Sequence, residues 1–116
     1  MVNKKLNNKY IIQLKKGVLE ILVFKLLSNQ EKYGYQLIHE LRQKSNGCFT
    51  LKEGTLYPIL YRLEKDGMIV GKWNKEQDRE VSKKYYSVTP KGKAELTELI
   101  KLWKDFSEGV TEILDT

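Results

Sequence analysis

Thr50-Leu51-Lys52-Glu53-Gly54-Thr55-Leu56-Tyr57-Pro58-Ile59-Leu60-Tyr61-Arg62-Leu63-Glu64-Lys65-Asp66-Gly67-Met68-Ile69 is the stretch whose reading decides the fold. Leu56, Ile59, Leu60 and Leu63 recur at helical spacing and predict one apolar face turned to a core. Lys52, Thr55, Tyr57, Pro58, Tyr61, Arg62 and Lys65 are left for solvent or a ligand. The helix spans about residues 51–66, with Thr50 and Glu53 in the form of a capping box and Gly67 as its stop. Thr55 is a second candidate N-cap, which would place Pro58 in the first turn, where the missing N–H costs little. A merely solvated face would carry Glu, Lys and Gln. Thr, Tyr and Arg instead have the donors and acceptors to address phosphates and base edges in a major groove.

Upstream, Leu37, Ile38 and Leu41 predict a helix over about 34–44, closed by Ser45-Asn46-Gly47. Across the polar break Asn29-Gln30-Glu31-Lys32, apolar residues from Tyr10 to Ser28 predict one longer helix with a wide apolar belt. Gly17 lies within it as the mark of a close helix crossing. Downstream the period changes. Met68 to Trp73 and Lys84 to Val88 are β-branched and aromatic runs around a charged stretch, a β-hairpin whose cations include Lys72, Lys75, Arg79, Lys83 and Lys84. Thr89-Pro90 opens a last helix to about Leu114. In it Leu96, Leu99, Trp103, Phe106, Val110 and Ile113 follow steps of three and four, an a/d seam.

The fold class is therefore mainly α with a small β-hairpin: a winged helix-turn-helix over residues 1–89, with the wing at about 68–88, and a C-terminal dimerisation helix over 90–116 packed with the first helix. The expected interface comprises Ile11, Leu14, Val18, Leu96, Leu99, Trp103, Phe106, Val110 and Ile113. The competing arrangement folds the seam back onto the chain's own first helix.

Charge agrees with a polyanionic partner. Of the 116 residues, the first 90 carry 17 Lys and Arg against 9 Asp and Glu, and the last 26 carry 4 against 6, so a net +8 precedes a net −2. One histidine, His39, and one thiol, Cys48, with no phosphate loop or metal-ligand spacing, argue against an enzyme, a cofactor or a metal. A lone cysteine, and an apolar stretch interrupted by Glu20 and Lys25, predict a cytoplasmic protein without signal peptide or membrane span.

Three blocks carry a resemblance: Tyr33-Gly34-Tyr35-Gln36-Leu37; Glu53 to Ile69; and Lys84-Tyr85-Tyr86-Ser87-Val88-Thr89 with Gly92. Together they resemble the PadR-like transcriptional regulators, over about Val18 to Leu99, and the middle block is the most specific. The resemblance implies a homodimer of winged helices, mostly repressors, whose third helix enters the major groove while the hairpin contacts flanking DNA. The implied DNA-binding set is Tyr35, Lys52, Thr55, Tyr57, Pro58, Tyr61, Arg62, Lys65, Lys75, Arg79, Lys83 and Lys84. The partners are an inverted-repeat operator in double-stranded DNA, a second copy of the chain, and a small planar effector. The short C-terminal region resembles the compact subgroup, in whose multidrug-sensing members a tryptophan of the last helix stacks on flat ligands. Trp103, in the Trp-Lys-Asp-Phe segment, matches that position, and filling of the interface is its alternative role. Two other readings stand beside this one: a dimeric module binding an acidic protein, and single-strand binding by stacking on Tyr57, Tyr61 and Tyr85.

Overall fold

The computed structural model describes residues 8–74 and 82–116, without the side chains of 8, 9 and 11. Its elements are α1 (Asn8–Lys15), α2 (Val18–Asn29), β1 (Lys32–Tyr33), α3 (Gly34–Lys44), α4 (Glu53–Lys65), β2 (Ile69–Asn74), β3 (Lys83–Val88) and α5 (Pro90–Leu114). The strands form an antiparallel sheet in the order β1-β3-β2, with Gly71 opposite Tyr86 and Tyr33 opposite Tyr85. This is a winged helix-turn-helix: α3 and α4 form the two-helix unit, β2 and β3 the wing. The core is built from Val23, Phe24 and Leu27 of α2, Leu37 and Leu41 of α3, the four apolar residues of α4, and Ile69, Tyr86 and Leu96.

Three expectations are corrected. The single helix over 10–28 is two, because Gly17 takes φ 80°, a left-handed conformation that breaks the ladder and that only glycine adopts freely. Among the described residues, and apart from its chain neighbours, none comes within 4 Å of where its Cβ would stand, so Gly17 is a joint and not a close crossing. The polar break contains a strand, β1, and Lys32 within it is 6% exposed. Its ammonium lies 3.2 Å from Glu40 of α3 and 3.2 Å from the Gln30 carbonyl, which satisfies the buried charge. The third correction concerns α4, which starts at neither Thr50 nor Thr55. Lys52 is its N-cap, extended and without a side-chain cap bond. Leu51, buried beside the core, fixes the approach of the chain, and Pro58 falls inside the helix.

Other local signals act as the residues dictate. Asn46 (φ 53°) and Gly47 (φ 79°) end α3, the Gly47 N–H donating to the Arg42 carbonyl at 2.8 Å. The Tyr33 N–H at the start of α3 donates to Gln36 Oε1 at 3.1 Å. At the start of α5, Thr89 Oγ1 accepts from the Gly92 N–H at 3.0 Å and donates to the Gly67 carbonyl at 2.7 Å, tying the helix to the turn before the wing.

The a/d seam of α5 is divided. Leu96, expected at the interface, is 4% exposed and belongs to the chain's own core, with Leu99 and Ile100 packed against it. From Leu102 onward the apolar residues have little cover: Phe106 is 63% and Ile113 71% exposed, and Trp103 and Val110 are also open. The chain measures 57 × 33 × 21 Å, with a radius of gyration of 16.0 Å. A compact domain of this length would have about 13 Å, so α5 extends well past the body it starts from.

Two glycines of α5 give opposite expectations. A Cβ on Gly92 would run into the Met68 carbonyl oxygen and Val88 Cγ1, whereas one on Gly109 would meet nothing within 4 Å. Gly92→Ala should lower the unfolding free energy by about 1–3 kcal/mol, and Gly109→Ala should raise it by up to about 1 kcal/mol; urea unfolding followed by circular dichroism measures both.

Candidate nucleic-acid interface

With Leu56, Ile59, Leu60 and Leu63 buried, the opposite face of α4 stands in solvent and presents Gly54, Pro58, Tyr61 and Lys65, with Lys52 just before the first turn. Tyr61 is 64% exposed. Its phenol and the Lys65 ammonium therefore project from a helix whose position is fixed from behind. Thr55 and Arg62 lie on the flank toward α1 and α2, across a cleft whose other wall includes Lys15, Lys16 and Glu20. Arg62 Nη2 donates to Glu20 Oε1 at 2.9 Å.

Tyr57 and Glu53 lie on the other flank, toward the wing, in a cleft shared with Tyr35, Trp73 and Lys83. The Tyr57 ring is half exposed, but its hydroxyl is turned toward α3, so close to Gly34 that a Cβ there would overlap it. Gly34 thus has a steric reason: it lets the start of α3 pass against α4. Tyr57 is in part a packing residue. Tyr35 is exposed and meets His39 edge-on at 4.7 Å between ring centres.

The wing cations differ in availability. Lys83 is exposed and sits 5.0 Å over the Tyr33 ring, leaving its charge toward solvent. Lys84 is half-buried, 3.6 Å from Glu64 and 5.3 Å over Tyr86, so its charge is largely engaged within the fold, joining wing to α4. Lys72 is exposed. Lys75, Arg79 and the Ile11 side chain lie outside the described residues. Burial, with Glu64 and Tyr57 nearby, raises the Tyr86 hydroxyl above the ordinary tyrosine range. The neutral phenol is therefore the folded form: the stability it carries is whole below the ordinary value and is lost as pH rises through the raised one.

Sequence reasoning missed Glu20 and Gly34. Glu20 stands 42 residues from Arg62, and no local periodicity links them.

A third concavity borders the α1–α2 joint. It is a groove of about 690 Å³ between Leu14, Val18 and Ile21 and the Leu99, Trp103, Phe106 and Val110 side of α5. The Trp103 and Phe106 rings are 6.0 Å apart and tilted by 39°. Among the described residues no cluster of three His, Cys, Asp or Glu is placed to hold a metal ion, and no helix is long and apolar enough to cross a membrane.

The chain is similar to known proteins over most of its length. It is 36% identical over 100 residues to an uncharacterized protein of Lysinibacillus sphaericus, covering 86% of this chain and 87% of that one. Among solved structures, a PadR family transcriptional regulator from Eggerthella lenta superposes with a TM-score of 0.82 at 30% identity, covering 93% of this chain and 91% of its own. A PadR-like transcriptional regulator from Bacillus cereus gives 0.75 at 35% identity, with 90% and 98% covered. The family pattern described as "Transcriptional regulator PadR-like family" matches residues 23–98, a span that takes in the core of α2, both helices of the helix-turn-helix, the wing and the start of α5. The chain belongs to the PadR-like family of transcriptional regulators.

Proposed function

We propose that the protein binds double-stranded DNA sequence-specifically as a homodimer and represses transcription from the site it occupies. The observation that carries this reading is the outer face of α4: Lys52, Tyr61 and Lys65 exposed on a helix whose apolar side is wholly spent in the core, with Thr55 and Arg62 on its flank. Lys72 and Lys83 add positive charge along the wing, where the adjacent phosphate backbone would run. A second copy of the chain covers the bare end of α5 at Phe106, Val110 and Ile113 and closes over the groove walled by Trp103, the exposed Leu14 and the half-buried Val18. Two-fold symmetry then sets two α4 helices about 34 Å apart, one turn of duplex, and calls for an inverted repeat. Lys75 and Arg79 belong to the same proposed basic surface.

The groove beside Trp103 supports a release mechanism. Its volume is in the range of about 300–1,000 Å³ usual for small-molecule sites, and an indole offers a flat polarizable surface to a planar ligand. A molecule seated there would sit against the dimer seam and weaken operator binding by altering the spacing of the two α4 helices.

Fluorescence anisotropy on the duplex upstream of the protein's own gene, with a scrambled competitor at two salt concentrations, tests the central reading. Tight, salt-sensitive, competitor-resistant binding with two chains per duplex is expected; no binding at low salt would overturn it in favour of a protein-interaction role. Lys65→Ala should weaken binding to every duplex and reduce the salt slope by about 1. Phe106→Asp, at an exposed position, should leave a folded monomer by light scattering and lower operator affinity by roughly 100-fold through lost bivalency. In a Trp73→Phe background, a planar cationic dye should quench Trp103 and release the duplex, and unchanged emission would count against the ligand site.

A further inference from the structure

We infer that Glu20, which lies on α2 outside both the recognition helix and the wing, is a positioning residue that sets the sequence specificity of Arg62. The inference rests on the DNA-binding reading above and deepens it.

Arg62 is the one cation of α4 with a carboxylate partner from another helix among the described residues: its Nη2 donates to Glu20 Oε1 at 2.9 Å. The bond occupies one of the five guanidinium donors. Four donors remain, more than enough for the two acceptors, O6 and N7, that guanine presents in the major groove. Both side chains are partly exposed, at 56% for Arg62 and 36% for Glu20, so the contact adds little to folding. Its effect is on the arginine's freedom. An unrestrained arginine on an exposed helix samples many rotamers, and freezing one of them opposes binding; an arginine already held in one direction loses less.

Glu20 is suited to that task by its own placement. It lies in the first turn of α2, immediately after the Gly17 joint, where the positive end of the helix dipole attracts a carboxylate. The backbone beneath it is anchored by the buried Val23 and Phe24 one turn on. The guanidinium is thus held toward α2 at the edge of the α4 face, in a residue that lines one cleft with Thr55 and Pro58 of its own helix and with Lys15 and Lys16.

The carboxylate has two separable effects on DNA. Its charge repels phosphates and lowers affinity for all duplexes alike; its hydrogen bond orients Arg62 and favours one base at one position. Glu20→Gln removes the charge and retains an acceptor of the same reach, while Glu20→Ala removes both. The measurement is the affinity ratio between a duplex selected from a random pool by the unchanged protein and the same duplex with single base changes, at fixed salt. Glu20→Gln should bind all duplexes more tightly with the ratio preserved. Glu20→Ala should bind mismatched duplexes at least as tightly as the unchanged protein, yet lose up to about fivefold in discrimination at one base pair, the most that an exposed ion pair can contribute. Arg62→Ala should lose discrimination at that same position, and the double variant should lose no more than Arg62→Ala alone. Full discrimination by Glu20→Ala, or losses by the two alanine variants at different base pairs, would overturn the inference alone. Failure of the unchanged protein to select any sequence would instead overturn the DNA-binding reading and this inference with it.

Discussion

Burial of Leu56, Ile59, Leu60 and Leu63 on one side of α4 is the constraint on which the remaining structure depends. Local signals alone do not make this helix. Lys52 supplies no side-chain cap, and Pro58 lies in the interior, at a cost of about 3 kcal/mol in an isolated helix. Each buried leucine or isoleucine returns roughly 1.5–3 kcal/mol, so four of them outweigh the proline. The helix exists because the core demands that face, and the demand fixes which residues point away. Packing from α2, α3 and β2 then leaves one open side, so the identity of the exposed face is a consequence of the core and not a separate feature.

That dependence explains what was legible in the sequence. The faces of α3 and α4, the two-stranded wing, the Asn46-Gly47 stop and the Thr89-Pro90 start are each written within one turn of chain, in periodicity or in residues with narrow backbone preferences. Gly17 was visible but read as a packing contact, because sequence does not distinguish a glycine chosen for a missing Cβ from one chosen for φ 80°. β1 was hidden because two residues give no alternation, and because Lys32 looks like a solvated charge until Glu40 is brought to it from α3. The Glu20–Arg62 contact is of the same kind: its partners meet only through tertiary packing. Of the candidate site, the exposed tyrosines and lysines of α4 could be named from spacing. Which of them are engaged elsewhere, as Tyr57 is against Gly34 and Lys84 against Glu64, depended on where the wing and α3 came to rest.

α5 carries two different surfaces under one sequence pattern. A heptad-like seam predicts continuous burial, yet only its first part, around Leu96, Leu99 and Ile100, finds partners in the same chain. A helix of 25 residues is about 37 Å long, longer than the helical body it packs on, so the same stripe serves the core at one end and is left bare at the other. An apolar stripe that continues in register from a core into solvent is the pattern expected where a second chain completes it. The acidic residues Glu98, Asp105, Glu108 and Glu112 lie on the same helix as this stripe and give the chain's last quarter its net negative charge.

The cleft beside Arg62 and the groove beside Trp103 meet at one place. Lys16 and Gly17 line both the cleft beside Arg62 and the groove beside Trp103, and they form the joint between α1 and α2. The α1 helix that runs up to that joint lines both as well, through Ile12 and Lys15 in the cleft and through Gln13 and Leu14 in the groove. Glu20 stands three residues beyond the joint, within the first turn of α2, so the carboxylate that holds Arg62 is closer to the joint than is any residue of α4 in sequence. In a protein whose proposed ligand sits against Trp103 and whose proposed DNA contacts include Arg62, this shared wall connects the two sites outside the core to which Val23, Phe24, Ile59 and Leu63 belong. The segment common to the two proposed binding functions is thus the α1–α2 joint, whose direction is set by the left-handed Gly17.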